Sequence, residues 1–387
     1  MVFTDLHMSR ISPCSLFIIH CSLLLAIVCH GQNNTEWSSY RGNPSLTGVS
    51  GSLLPSPSTL KLLWSFKTGD AVKSSPVFGS ENIFIGSNDG YLYSLSDKGR
   101  LNWKYYAGTS IEAPPLYHNN TVYAGSLGGI LFALNAKTGK LKWKYKTGGQ
   151  IAGSANYIPT SDLRPQPSNL KIIVGSYDYS LHCVNALSGK RIWEYTSDNY
   201  INGCPATNGK VIVFGGCDGL LHIVDVSSGV QISNIDISTY IASSSAMEGN
   251  LAFFGNYDGV FICADFITKK IIWKHDCGGT FMASPAVSGN KIVLGSQDKN
   301  VYCFDKSDGK ILWTFKTRGK ITASAIIAGT EVLIPSGDGT IYMLDLNSGK
   351  QLWSYEIGSP LSSTPAVGIN LFIIAAEDGK VYAFGER

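Results

Sequence analysis

The chain has 387 residues, 44% of them hydrophobic and only 15% charged, and its 31 basic and 28 acidic side chains leave a formal net charge of +3. That balance carries no nucleic-acid footprint, and the length allows a large core with no need of a disulfide framework. Forty-two glycines and nineteen tyrosines point to a turn-dense all-β protein.

From the N-terminus, Leu16 to Val28 forms an apolar stretch, with Arg10 upstream and the polar run Gly31-Gln32-Asn33-Asn34-Thr35 downstream. It is too short to span a bilayer comfortably and reads as the hydrophobic region of a secretory signal peptide over residues 1–31. Met8 would open a more ordinary leader than Met1. Cleavage after Gly31, with Cys29 two positions before it, meets the small-residue requirement at the cut. Lipidation at Cys29 is the alternative, and the bulk of Val28 stands against it. Either way the chain is expected to be exported, to a periplasmic, outer-membrane-associated or extracellular location. Membrane association would come through such a lipid or through a partner.

Beyond an extended lead-in over residues 32–61 the chain repeats. Trp64, Trp103, Trp143, Trp193, Trp273, Trp313 and Trp353 recur, with Ser233 in the one vacant slot, in steps of 39, 40, 50, 40, 40, 40 and 40 residues. One aromatic anchor per unit of roughly 40 residues marks a repeated supersecondary element. In the first unit an anchor strand, Leu62 to Lys67, leads through Ser74-Ser75-Pro76 to a run at Ile83-Phe84-Ile85. A turn at Asn88-Asp89-Gly90 and an alternating run from Tyr91 to Leu95 follow. Later units keep this order, with Pro115, Ala155, Pro205, Ser245, Pro285, Ala325 and Pro365 standing where Pro76 does. A turn such as Asn135-Ala136-Lys137-Thr138-Gly139 enters each next anchor strand. Four short strands and four tight connections use up the unit and leave no window of helical period.

The small-residue inner strand and the Asp-Gly turn region each occur eight times, yet the last copy ends at Phe384 with no anchor strand after it. An all-β, eight-bladed β-propeller of four-stranded antiparallel blades over residues 62–387 accounts for this, the N-terminal strand pairing as the outermost strand of the last blade. A linear solenoid would need two capped ends. The tryptophans, burying roughly 150–250 Å² each, should dominate the blade junctions. The junction at Ser233, where the next turn reads Thr268-Lys269 in place of the usual Gly, should be the loosest unless neighbouring side chains fill it.

A search for chemistry returns absences: no G-x-S-x-G, no H-E-x-x-H and no G-x-x-x-x-G-K-[ST]. Cys183, Cys204, Cys217, Cys263, Cys277 and Cys303 include no adjacent pair and no C-x-x-C, and read as free, packed thiols. His118, His182, His222 and His275 lack clustered partners, and the repeat-equivalent His182 and His222 read as structural. Asp89, Asp178, Asp218, Asp258, Asp298, Asp338 and Asp378 invite a metal hypothesis. Each sits at a turn position, however, where Asp bonds its own backbone, and ring neighbours should lie about 10 Å or more apart, too far for the 2.3–2.6 Å of Ca²⁺ ligation. Asn135, Asn185, Asp225, Asp265, Asp305 and Asp345 are read in the same way, as turn openers.

The segments Phe132 to Trp143 and Tyr342 to Trp353 resemble the tryptophan-docking repeat of the pyrroloquinoline quinone (PQQ)-like β-propellers. Trp37-Ser38-Ser39-Tyr40-Arg41-Gly42 with Thr47-Gly48 resembles the lead-in found ahead of many of them, so the resemblance covers residues 37–387. It implies one of two branches. Quinoprotein dehydrogenases hold PQQ between a Trp and a vicinal disulfide, with Ca²⁺ on Glu and Asn and an Asp as base. The other, BamB-like branch is non-catalytic. This chain has no Cys-Cys pair, is much shorter than the dehydrogenases and lacks their long inserted loops. It is therefore expected to be a non-enzymatic, monomeric protein-binding or scaffold module of the cell envelope, with a protein partner and with no PQQ or calcium. A PQQ-dependent dehydrogenase, or another propeller enzyme with a loop-built site, is the alternative.

In a propeller the turns after the second and fourth strands share one face. There Tyr177, Tyr179, Tyr200, Tyr240, Tyr257 and Phe281 fall in the third to sixth blades, where other units carry Asn88, Ala71, Ser110 and Gly337. Exposed aromatics suit partner recognition because they offer large contact area with few rotamers to freeze; packing between blades is the alternative. The insertion Pro159 to Asn169, expected on the opposite face, is the rival site.

Overall fold

The second and third strands of every unit are near-continuous apolar runs, such as Ile172-Ile173-Val174 and Val332-Leu333-Ile334, and they are buried on both faces. Sheets stacked face to face require that pattern. The fourth strand alternates between exposed and half-buried positions, as in Leu141–Lys146. The computed structural model, which describes residues 37–159 and 169–386, arranges these strands as eight antiparallel four-stranded blades of a propeller. The expected signal peptide and most of the 159–169 insertion lie outside the described residues.

The first blade runs outward through Val77–Gly79, Asn82–Gly86, Tyr91–Ser96 and Leu101–Tyr106. The eighth contains Ala366–Gly368, Leu371–Ala375 and Lys380–Gly385, and its outermost strand is Lys61–Lys67 from the other end of the chain, with Trp64 opposite Ala383. The ring therefore closes as the strand count predicts.

Six indole N–H groups donate to a carbonyl of the next blade, for example Trp103 to Ala136 and Trp313 to Leu346, both at 2.9 Å. Each ring covers the left-handed glycine of that blade's last turn. A Cβ on Gly349, where φ is already 70°, would stand 2.6 Å from Trp313 Cδ2. At the Ser233 junction both sides of this arrangement change together. Lys269 takes the glycine's place with φ 60°, and no indole lies above it. Phe266, at the position of Val226 or Leu346, is buried and packs in one cluster with Ile223 and Ile235 beside Ser233. The ring missing from one blade is supplied by its neighbour.

The lead-in enters the centre of the ring. Carbonyls of Trp37, Ser38, Pro44, Ser45, Thr47 and Gly48 accept the N–H groups of Phe78, Tyr117, Thr207, Met247, Val287 and Ile327. One inner strand after another thus spends its free donor on the lead-in, and Val49–Ser50 adds a parallel fifth strand to the seventh blade. Arg41 is fully buried there and donates to the carbonyls of Pro285 and Ala325. Gly48 makes room for it, since a Cβ would meet Arg41 Nη2 at 2.0 Å.

Candidate partner-binding face

The face is built on a rung that recurs in all eight units. The N–H of the second residue in the turn after the second strand donates to a carbonyl in the connection leading into the inner strand, at 2.9–3.1 Å, as in Cys217 to Tyr200 and Tyr257 to Tyr240. This rung holds the two sets of turns on one side of the ring.

The aspartates of these turns are consumed locally. Oδ1 of Asp89, Asp178, Asp218, Asp298, Asp338 and Asp378 accepts the N–H two residues on. The second oxygen takes a side chain four residues on: Tyr382 to Asp378 at 2.6 Å, Tyr342 to Asp338 at 3.0 Å, His222 to Asp218 at 2.8 Å and His182 to Asp178 at 3.0 Å. Burial would raise these carboxyls, but the converging donors outweigh it and hold Asp178, Asp218, Asp338 and Asp378 below the usual carboxylate range. Asp258 is the exception: Asn256 takes over its turn bond to Val260. His182 and His222 are buried in these pairs, their other ring nitrogens bonded to Tyr145 and Tyr195, which is a structural role. The six described cysteines are free. Among the described residues no group of three His, Cys, Asp or Glu side chains could hold a metal ion.

Five of the six expected aromatics lie on this face. Tyr200 packs against Tyr177 and Tyr179 with ring centroids 4.9 and 5.2 Å away, and Tyr240 meets Tyr257 at 6.3 Å. Tyr179, Tyr200, Tyr240 and Tyr257 remain 41–54% exposed. Tyr177 is half-buried beneath them, and burial, with Cys217, Glu112 and Tyr200 nearby, pushes its phenol up. Phe281 is a correction. It is fully buried against Phe261 and Tyr302, because it continues the core series Ile201, Ile241 and Ile321. Tyr179 adopts φ 71° at a turn position that is glycine in six other units. The left-handed region is costly for a bulky side chain.

Toward the axis the face dips into a cavity of about 170 Å³ floored by Tyr40. Its wall is a chain of backbone N–H to hydroxyl bonds running Cys204 to Ser244, Ser244 to Ser284, Ser284 to Ser324, Ser324 to Thr364 and Thr364 to Ser75. The chain breaks at Pro114, which has neither N–H nor hydroxyl to offer. Lys73 and Glu112 pair at the rim at 3.1 Å. The lining contains no Trp and no cysteine pair, and it does not fit a quinone cofactor with a calcium ion. Sequence reasoning missed Tyr40 and Arg41 as the plug, although the Trp37 to Gly42 motif marks them. It also passed over Asp198, Asp236 and Asp276, which with the turn residue Asp258 stand exposed among the tyrosines.

Residues 54–216 and 217–386 each match the family described as outer membrane protein assembly factor BamB. No curated protein matches the sequence. Among solved structures, BamB from Moraxella catarrhalis is similar at TM-score 0.70 and 19% identity, covering 85% of this chain and 98% of that one. The computationally designed Ika8 protein gives 0.71 and 17%, over 86% and 99%. A europium-containing methanol dehydrogenase gives 0.77 and 13%, over 91% and 98%. At these identities the structural likeness speaks for the fold alone.

Proposed function

This chain belongs to the BamB family, and from that premise we propose that it is an exported, non-catalytic scaffold of the cell envelope that holds a protein partner on its tyrosine face. The observation that carries the reading is Tyr179. A large aromatic stands there in a left-handed turn position that is glycine in six other blades and Lys299, at φ 76°, in the seventh, and despite the strain it lies exposed beside Tyr200. The mouth of the ring is small and lined largely by hydroxyls and backbone.

The test is capture from an envelope fraction by the immobilised protein. Replacing Tyr200 and Tyr240 together by Ser, with an unchanged melting temperature, should abolish capture of the partner. Retained capture that is lost on trimming the 159–169 insertion would move the site to that loop. A melting temperature raised by PQQ with Ca²⁺ would overturn the non-catalytic reading, since tight binding to the folded state must stabilise it.

A further inference from the structure

We infer that the occupant of the tyrosine face is a basic polypeptide segment, its Lys or Arg side chains lying over the rings of Tyr200 and Tyr240 and against the carboxylates of Asp198 and Asp258. This rests on the docking role proposed above and adds the chemistry of the partner.

The face is electrically divided. Asp198, Asp236, Asp258 and Asp276 are exposed around the two tyrosine clusters, and none of the four makes an ion pair among the described residues. The basic residues of the same stretch, Lys190, Arg191, Lys210, Lys269, Lys270 and Lys274, sit in the turns of the opposite face or along outer strands. Elsewhere on the tyrosine side, Lys73, Lys299, Arg318 and Lys320 occupy the connections of other blades. A cation approaching the tyrosines therefore meets unneutralised carboxylates and the negative faces of phenol rings, which attract ammonium and guanidinium groups. An anionic segment would meet only repulsion there. Among the described residues the side chains of Asp198 and Asp258 make no hydrogen bond or ion pair, so removing their charge leaves the turns intact.

The probes are short fluorescein-labelled peptides in which Arg, Glu or Gln alternates with Ser, followed by anisotropy. The Arg peptide should bind about tenfold or more tighter than the Gln peptide at about 20 mM salt and lose most of that margin at about 300 mM. Asp198→Asn with Asp258→Asn should weaken the Arg peptide about fivefold or more while partner capture in the envelope assay falls in step. Tyr200→Ser with Tyr240→Ser should weaken it as well. Equal binding of the Arg and Gln peptides, or no response to the Asp pair, overturns the basic occupant while leaving the docking role to its own test. Loss with the Asp pair but not the Tyr pair also overturns it, because the rings would then take no part.

Discussion

Arg41 Nη2 donates to the carbonyl oxygen of Pro285 at 2.7 Å, fastening the N-terminal lead-in to the sixth blade from inside the ring. Burial, without any carboxylate partner, pulls the guanidinium pKa down to about 10, which leaves it charged at neutral pH. Arg41→Ala strands the carbonyls of Pro285 and Ala325 and opens a void, with an expected loss of about 2–4 kcal/mol in urea unfolding. Arg41→Met, which keeps the volume, should lose less. An unchanged midpoint for the Ala variant would show that the plug contributes nothing to stability.

Two truncations separate plugging from closure. Starting the chain after Leu60 removes the plug but keeps Lys61–Lys67, and should give a monomer that unfolds cooperatively at a lower temperature. Starting after Lys67 also removes the outer strand of the eighth blade and exposes the edge of Lys380–Gly385, so aggregation is expected. Light scattering and calorimetry distinguish these outcomes. A soluble, cooperative protein beginning at residue 68 would refute closure by that strand.

At the Ser233 junction the neighbouring blade supplies the ring, so hydrogen exchange in Gln231–Asp236 should match that of the other outer strands. Phe266→Ala should cost about 3–5 kcal/mol, as a lost core aromatic does. Ser233→Trp alone should destabilise by overpacking, and combining it with Phe266→Ala should recover part of the loss. Strict additivity in that cycle would mean the two positions do not share one space.

Acid should undo the turns on the tyrosine face. Asp178, Asp218, Asp338 and Asp378 have folded pKa values below those of the unfolded chain, where a carboxyl titrates near about 4. Their contribution is therefore complete above about pH 4 and is lost as pH falls through the lower folded values. The melting temperature should hold down to that point and then drop. Asp338→Asn with Asp378→Asn should lower it at pH 6 and flatten the drop. An identical pH profile for variant and parent would remove these carboxyls from the account.

The number of blades, the closing strand and the backbone-bonding role of the turn aspartates other than Asp258 were legible in the sequence because each rests on a local rule: strand alternation, Asx turns, and one Trp in most units. Phe281 could have been placed correctly by the same periodicity, since Ile241 and Ile321 stand one repeat away on either side in the buried series. Tertiary structure alone decided what Arg41 does. Its acceptors are backbone carbonyls 244 and 284 residues away, and a carbonyl carries no residue identity to read. The same holds for Phe266 filling the space at Ser233, and for the unneutralised carboxylates beside Tyr200 and Tyr240. Packing and electrostatics depend on which side chains the closed ring brings together, and a repeat specifies its own unit far more tightly than it specifies its neighbours.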